Sequence, residues 1–417
     1  MNSLFRISAI AVALALSACR PSARLSSEAY VWQQVRSDAV DAAIERGSRD
    51  LDAFYLHAAD VTFATDRSTI RRFDLPWRAV AKTEKPVGIV IRIPEARGKS
   101  GLSPDRAGEI ASLARSIIAE ARAEGITCRE VQIDYDCPDS RLSTYAAFLL
   151  KLKSLCPGNR IVFTALPSWL RESDFGKLAA SADSYVLQVH SLELPATNDS
   201  TAVICDVEKA RQAISRASRF GVPFRAALST YQCVVLLNAD GKRLGVISEG
   251  GIPVIPPGTV IIPGYSDPTQ LARLVADLKT SHSPLLTGII WYRLPVDTDR
   301  MNWPWITFQA VSSGRQPKSR LEVSLQPQPE GFSTIELKNL GERPEHRPSR
   351  ITVRYNSAAP ESADALAGYR LMSPPSHALI FQDTVPFSPG IVPGKSLTIG
   401  WLRASSLDGV HILLSSP

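Results

Sequence analysis

An alternation of short apolar runs with amphipathic stretches constrains the fold of this chain more than any other feature. In one complete unit, Ser103 and Pro104 open a helix, apolar residues recur at helical spacing, and Gly125 ends it before the next apolar run. Alternation of this kind is typical of parallel strands covered by helices. The strands are predicted at residues 29–33, 51–57, 87–93, 131–136, 161–166, 184–190, 223–228 and 288–293.

Eight such units over roughly 280 residues favour a (β/α)8 TIM-type barrel over a doubly wound sheet. No G-x-G-x-x-G or G-x-x-x-x-G-K-[ST] sequence follows a predicted strand, so neither nucleotide-binding fold has its phosphate loop. We therefore predict a barrel over residues 29–310, and we expect it to use no cofactor.

The sequence changes character after residue 310. Short β-rich runs bounded by Pro, Gly and Asn follow one another without a helical period, at residues 319–328, 333–341, 349–356, 378–385, 396–403 and 409–416. This pattern predicts a small all-β, immunoglobulin-like sandwich over residues 311–417, joined to the barrel by a linker at residues 312–319.

The amino terminus has the pattern of a secretory signal. Arg6 precedes an apolar run at residues 7–16 that is too short to span a bilayer. The run ends in Leu-Ser-Ala-Cys, which resembles the lipobox of bacterial lipoproteins. The resemblance implies a lipoprotein signal peptide at residues 1–18, lipid attachment at Cys19 and a tether at residues 19–28. An ordinary cleaved signal with a chance cysteine is the alternative.

The lipobox resemblance also implies a location. Arg20, rather than aspartate, follows the cysteine, and in lipoproteins this favours the outer membrane. We therefore expect the protein to lie in the cell envelope, on the periplasmic face of the outer membrane if the host has one, with the membrane bound through the lipid anchor.

Composition excludes several classes of partner. The chain has 47 basic and 41 acidic side chains, and its charge of +6 is not clustered, so we expect no nucleic-acid partner. Without Cys19 an odd number of cysteines is left, so at least one stays free. No C-x-x-C or H-x-x-x-H spacing occurs, and we expect no metal site. We expect a monomer.

Functional residues of a TIM barrel lie at the carboxyl ends of its strands. The fourth strand ends with Asp134 and Asp136, whose two-residue spacing turns both side chains toward the barrel axis. Close carboxylates resist simultaneous ionisation, so the pKa of one is expected to rise, as a general acid for glycoside cleavage requires. The alternative is a pair held by an arginine such as Arg92 or Arg293.

The remaining candidates have side chains that suit sugar rings, because aromatic groups stack on the apolar faces and polar groups bind the hydroxyl rim. Each has a core-packing alternative when taken singly, and only their convergence at one rim indicates binding. The predicted substrate-binding residues are Gln132, Trp169, Gln188, His190, Tyr231, Trp291 and Arg293.

Residues 132–138 resemble the second half of the D-x-x-D-x-D-x-E motif of the chitinase-type glycoside hydrolase family 18. In that resemblance Asp136 takes the place of the acid and Asp134 that of its helper. Residues 223–231 and 288–294 are similar to later strands of the same family, with Trp291 as the inward tryptophan. The resemblance implies a glycan or polysaccharide substrate.

Residues 29–310 resemble more closely a bacterial family filed as domain of unknown function 3142. Its phrases Q-x-D-x-D, T-A-L-x-S-W, L-Q-x-H and A-L-x-T-Y occur here in order, beginning at residues 132, 164, 187 and 227. Because that family has no settled activity, the resemblance implies the fold more than the reaction.

Two departures from the chitinase pattern affect the expected mechanism. Asp136 is one methylene shorter than glutamate, a loss of about 1.5 Å in reach. The tyrosine that would steady an N-acetyl group is absent at residues 188–191, so a second carboxylate is needed as base or nucleophile. Glu249 is the candidate, within an insertion at residues 232–263 where a lid is expected, and a solvated loop acid is its alternative.

The leading hypothesis is a lipid-anchored extracytoplasmic carbohydrate-active barrel, a glycoside hydrolase with Asp136 as acid. The rival hypothesis is a non-catalytic glycan-binding or envelope-scaffold lipoprotein. A metal-dependent deacetylase is a third class, but it needs histidines near the aspartates, and the sequence offers only His190.

Overall fold

The computed structural model describes residues 24–64, 67–94, 102–194, 202–249, 255–356, 359–372, 377–385 and 390–414. The predicted signal peptide and its lipid-attachment residue Cys19 lie outside these ranges and stay predictions. Within them, no helix has the length and apolar character needed to cross a membrane. The first strand begins at Ser26, inside the predicted tether.

The eight predicted strands form a closed parallel barrel, which confirms the predicted fold class for this region. Around the ring the strand order is β1-β13-β9-β7-β6-β5-β4-β2, and parallel pairing of β1 with β2 closes it. The strands of this part of the chain are β1 (Ser26–Val31), β2 (Ala53–Phe63), β3 (Ser68–Arg72), β4 (Val87–Ile93), β5 (Cys128–Tyr135), β6 (Arg160–Ala165), β7 (Ser184–Gln188), β8 (Ala202–Val203), β9 (Phe224–Ser229), β10 (Gln232–Leu237), β11 (Arg243–Ile247), β12 (Val260–Tyr265) and β13 (Leu286–Tyr292).

Helices cover the outside of the ring, and their buried faces carry the predicted periodicity. Asp206 and Asp267 begin two of them, because the side chain of each accepts hydrogen bonds from two backbone N–H groups of the first turn. The helices are α1 (Asp38–Gly47), α2 (Trp77–Ala81), α3 (Ala107–Ala123), α4 (Leu142–Leu155), α5 (Phe175–Ala180), α6 (Val207–Ala217), α7 (Pro268–Thr280) and α8 (Trp305–Ser312).

The interior of the barrel is filled by a separate apolar cluster that includes Tyr55, Val90, Val162 and Ile290. Gly88 makes room for the largest of these groups, since a Cβ at that position would lie 2.6 Å from the Tyr55 ring. The lower and middle parts of the barrel are therefore packed, and space for a ligand is left toward its mouth.

The described residues after α8 form β-strands, as predicted for this region. Two four-stranded antiparallel sheets, β14-β15-β20-β17 and β18-β19-β16-β21, share a buried cluster that includes Ile335, Val353, Phe381 and Ile399. An immunoglobulin-like topology stays a prediction. The strands are β14 (Leu321–Pro327), β15 (Ser333–Asn339), β16 (Arg350–Tyr355), β17 (Ser362–Ala365), β18 (Tyr369–Met372), β19 (Ala378–Asp383), β20 (Ser396–Arg403) and β21 (Val410–Leu414).

Candidate active site

A cavity of about 320 Å³, here called the cleft, lies at the carboxyl ends of the barrel strands. Three carboxylates, several aromatic rings and several neutral polar groups line it together. Such a mixture can hold a ligand that has both apolar faces and hydroxyl groups. The lining side chains used below are Tyr30, Trp32, Gln34, Arg92, Asp134, Asp136, Thr164, Gln188, His190, Tyr231, Glu249 and Tyr292.

Asp134 is held by groups from three other strands, β4, β6 and β7. Its Oδ1 accepts hydrogen bonds from Thr164 Oγ1 at 2.7 Å and from Gln188 Nε2 at 3.1 Å. The Nε of Arg92 lies 3.9 Å from its Oδ2. Because these contacts fix the carboxylate from several sides, Asp134 has a defined position on the wall of the cleft.

Asp136 follows the end of β5 and lies on the same wall, more exposed than Asp134. Tyr135 between them turns the other way and packs edge-on against Tyr145, with ring centroids 5.2 Å apart. This alternation places both aspartates on the cleft, as the two-residue spacing predicted.

Glu249 reaches the cleft from the insertion after β9. The insertion is a separate small sheet, in which β10 pairs with β11 and β12, and β12 pairs with β8. The Oε1 of Glu249 lies 3.3 Å from Arg293 Nη1, and Arg293 Nη2 donates to the carbonyl oxygen of Ser248 at 2.8 Å. The third predicted carboxylate therefore lies at the cleft, but in an ion pair.

His190, Tyr231 and Tyr292 form one aromatic wall of the cleft. The His190 ring stacks on Tyr292 with centroids 5.2 Å apart and meets Tyr231 edge-on at 6.2 Å. Burial lowers the pKa of His190 to about 4 and raises that of Tyr231 to about 12. Both groups are therefore neutral near pH 7 and can form hydrogen bonds without adding charge.

Trp169 and Trp291 do not lie at the cleft, and these two sequence predictions are wrong. Trp169 is 0% exposed and packs against Tyr145 in the layer between strands and helices. Trp291 is also 0% exposed, packs against Phe308, and donates through Nε1 to Ser27. Side chains alternate along a strand, so the next residue, Tyr292, is the one that faces inward.

Gln132 and Arg293 also have structural surroundings rather than a place on the cleft lining. Gln132 lies two residues before Asp134 on the interior face, where its amide accepts from Tyr30 and donates to Glu130. Arg293 is 2% exposed and binds Asp299 in addition to the insertion. Both predictions of direct substrate binding are corrected, because protein partners take up these polar groups.

Several cleft residues were missed by the sequence analysis. Trp32 stacks on His57, with centroids 4.1 Å apart, and His57 Nε2 is 2.9 Å from Asp60 Oδ1. Tyr30 and Gln34 come from the first barrel strand or its end, and Arg92, which the sequence suggested only as a partner of the aspartates, lies on the third barrel strand. Candidate residues were sought in the sequence only at the carboxyl ends of the fourth and later barrel strands. The same search at the ends of the first three strands would have found these residues.

In the described ranges, no three potential ligand side chains are grouped to hold a metal ion. Of the acidic side chains at the cleft, Asp134 and Asp136 lie at the end of β5. Glu249 comes from a different part of the chain, the insertion after β9.

Comparison with known families assigns the barrel. The family described as domain of unknown function (DUF3142) matches residues 83–297, which is about half of the chain. The chain belongs to the DUF3142 family. The matched range runs from just before β4 to just after β13 and includes Asp134, Asp136 and Glu249, and it confirms the resemblance found in the sequence.

Solved structures with a similar barrel have little sequence identity to this DUF3142 protein. A chitinase from Chromobacterium violaceum is 14% identical, with 70% of this chain and 98% of that chain covered and a TM-score of 0.46. The spore cortex-lytic enzyme SleL of Bacillus cereus is 12% identical, with 70% and 74% covered and a TM-score of 0.47. No curated protein sequence matches.

Proposed function

We propose that this DUF3142 protein is a glycoside hydrolase that acts on an extracytoplasmic glycan, with Asp136 as the general acid. The observation that supports it most is the placement of Asp134 and Asp136 on one cavity beside the ring of Tyr292. Glycoside cleavage needs a carboxyl group that protonates the leaving oxygen, together with groups that hold the sugar ring.

Asp134 has the role of a positioning residue in this proposal. Its contacts with Thr164 and Gln188 fix it two residues from Asp136, so its negative charge lies next to the acid. A neighbouring carboxylate favours the protonated form of a second carboxyl group, which is the form that a general acid needs.

The aromatic wall supplies the sugar-binding surface. Tyr231 and Tyr292 offer ring faces and phenol groups, and neutral His190 offers a hydrogen bond without charge. Gln188 binds Asp134 through its amide nitrogen, and its amide oxygen is left for a hydroxyl group of the ligand. Tyr292 replaces Trp169 and Trp291 as a proposed contact to sugar, and Gln188, His190 and Tyr231 keep the role predicted from the sequence.

Glu249 is the proposed second carboxylate, acting as base or nucleophile. It lines the same cavity as Asp136, but its contact with Arg293 has to loosen for it to act on a sugar. In a retaining or inverting mechanism this carboxylate faces the sugar from the side opposite the acid.

The location is proposed on the sequence alone. Lipid attachment at Cys19 would hold the protein on the periplasmic face of an outer membrane. The sequence also supports a separate proposal, that residues 311–417 form an immunoglobulin-like sandwich. Labelling of cells with a fatty-acid analogue tests the anchor. Label is expected on the native chain and not on Cys19→Ser, and equal labelling of both would reject lipid attachment at this residue.

Hydrolysis of cell-envelope polysaccharides by the full chain tests the proposed reaction through the release of new reducing ends. Asp136→Asn keeps the shape of the side chain but cannot donate a carboxyl proton, so turnover is expected to fall about 100-fold or more. Asp139→Asn, an exposed acid three residues further on, is the matched control and should keep native turnover. Native turnover by Asp136→Asn would reject Asp136 as the acid.

The ion pair between Glu249 and Arg293 favours a second function, a glycan-binding protein without catalysis. A carboxylate held by a buried guanidinium is less free to attack a sugar or a water molecule. Saturable binding of a polysaccharide with no release of reducing ends, unchanged in Asp136→Asn, would support this function over hydrolysis.

A further inference from the structure

A second cavity, of about 480 Å³, lies between the barrel and the C-terminal β region. We call it the junction cavity and define it by Val203, Asp206, Tyr265, Asp267, Trp303 and Glu345. The beginnings of α6 and α7 form one side, and residues 343–346 form the other. The proposed hydrolysis makes no use of it, although it is larger than the cleft.

Two aromatic rings in the junction cavity are held in place by protein contacts. Trp303 donates from Nε1 to the carbonyl oxygen of Ser266 at 3.1 Å and is largely buried. Tyr265 meets His346 edge-on, with ring centroids 5.4 Å apart. Since these rings are fixed before a ligand arrives, little conformational entropy is lost on binding.

Hydrogen-bond acceptors lie beside the rings. Asp206 and Asp267 each use Oδ1 to accept two backbone N–H groups of a helix. The hydrogen bonds formed with the described residues leave Oδ2 of both side chains without a donor. Glu345 adds a further carboxylate, 3.0 Å from the Nε of Arg343. Hydroxyl groups of a ligand are the natural donors to such oxygens.

The charge of the lining excludes one class of ligand. Four carboxylates line the junction cavity, those of Asp206, Glu208, Asp267 and Glu345. The basic side chains of the described lining are Arg343, which is paired with Glu345, and His346. The aspartate caps already occupy the positions that an anion would take at the two helix N-termini. An acidic ligand would therefore meet repulsion, whereas an uncharged one would not.

We propose that the junction cavity binds a short saccharide that carries no negative charge. Ring faces suit the apolar side of a sugar, and the acceptors suit its hydroxyl groups. The size of the cavity is within the range of ligand-binding pockets. The proposal does not require catalysis in the cleft.

The junction cavity and the cleft share a wall. Tyr231 lines the cleft and the following residue, Gln232, lines the junction cavity. Ser266, also in the junction cavity, donates from Oγ to the carbonyl oxygen of Tyr231 at 2.7 Å. The two cavities are separate binding spaces on either side of the first residues of β10. A variant can therefore block one cavity and leave the other open.

Calorimetric titration of the full chain tests the proposal. The probes are cellotetraose and the tetramer of N-acetylglucosamine as uncharged saccharides, and tetragalacturonate as an acidic one. We expect at least one uncharged tetramer to bind and tetragalacturonate not to bind. Val203→Trp changes an exposed side chain so that it fills the cavity, and it should abolish binding at this site.

A second variant tests the chemistry without blocking the space. Asp267→Asn keeps the helix cap, because asparagine is an equally good cap, but it replaces one carboxylate oxygen with an amide donor. The affinity for the tetramer is expected to fall about tenfold. Asp408→Asn, an exposed acid of the C-terminal region, is the matched control and should bind as the native chain does.

Three results would overturn the proposal. They are no binding of either uncharged tetramer at millimolar concentration, native affinity in Val203→Trp, and equal affinity for tetragalacturonate. None of them bears on hydrolysis, which is measured separately with Asp136→Asn. Thermal unfolding of each variant shows that a loss of binding is not a loss of the fold.

Discussion

The two ends of the barrel interior both contain acidic side chains, but in different surroundings. At the base, Glu28 and Glu130 both bind Arg225, and all three side chains are at most 10% exposed. At the mouth, Asp134 and Asp136 line an open cavity. The acids of the base are enclosed with their partners, whereas at the mouth Asp134, which contacts Arg92, and Asp136 both border space that a ligand can enter.

One strand supplies acids to both ends. Glu130, Gln132 and Asp134 follow one another at every second residue on the interior face of β5. Deep in the barrel, an unpaired carboxylate would be costly, so Glu130 is paired with a guanidinium and also binds Gln132. The comparison teaches that depth in the barrel, rather than residue type, separates a structural acid from a candidate functional one.

The largest expected effect is on stability and comes from the base. Arg225→Met would leave Glu28 buried without its cation and Glu130 with only Arg160, whose Nη1 lies 3.8 Å away, and the free energy of unfolding should fall by about 3–5 kcal/mol. Denaturant titration measures it. Changing both glutamates to glutamine in the same chain should restore part of the loss. If Arg225→Met alone is as stable as the native chain, the base does not depend on this pairing.

The next effect is on turnover and comes from the mouth. Asp134→Asn can still accept from Thr164 and Gln188, so the fold should be unchanged, but the charge beside Asp136 is lost. Turnover of a glycan substrate should fall about 100-fold, with the same midpoint of thermal unfolding. Loss of stability instead of turnover would place Asp134 with the structural acids of the base.

The free energy of unfolding should depend on pH through His190 at the mouth of the barrel. Because burial lowers the pKa of its imidazole from 6.5 to about 4, the unfolded chain binds a proton between these values that the native chain does not. Stability should therefore fall as the pH drops from 7 to 5, by about 1–2 kcal/mol from this group. In His190→Gln this part of the pH dependence should vanish, and its persistence would assign the effect to other groups.

The smallest effect separates two neighbouring aromatic residues. Tyr292→Ala removes a ring from the cleft and should weaken glycan binding about threefold to tenfold. Trp291→Phe alters the layer between strands and helices, and it should lower stability while binding is unchanged. Titration with a glycan that binds the native chain distinguishes the two variants. If only Trp291→Phe bound the glycan more weakly, Trp291 rather than Tyr292 would be the residue that faces the cleft.

The sequence was sufficient to predict the eight strands of the barrel, but not the added strands β3, β8 and β10 to β12 or the helices α1 and α2. The third predicted strand has the bounds observed for β4, and the helix caps at Gly125 and Asp206 are where the pattern indicated them. These features depend on neighbours in the sequence, namely apolar periodicity and the conformation of single residues. The two short strands β17 and β18 in the C-terminal region were not predicted, because runs of four residues carry little periodicity.

The site was predicted only in part. Asp134, Asp136, Gln188, His190, Tyr231 and Glu249 do line one cleft. Trp291 was placed on the wrong face, since a one-residue error in a period-two pattern exchanges the two faces of a strand. The partners of Gln132 and Arg293 come from distant parts of the chain, and no local pattern indicates them.

The sequence by itself determined that eight strands alternate with helices and that two aspartates end the fourth strand, because these properties are set by local periodicity and spacing. Only the tertiary structure decided which acids are enclosed with a cation and which border open space. Closing the ring brings Arg225 to Glu28 and Glu130, and it leaves Asp134 and Asp136 beside a cavity. Burial and pairing depend on residues that are far apart in the chain, and they meet only when the barrel closes.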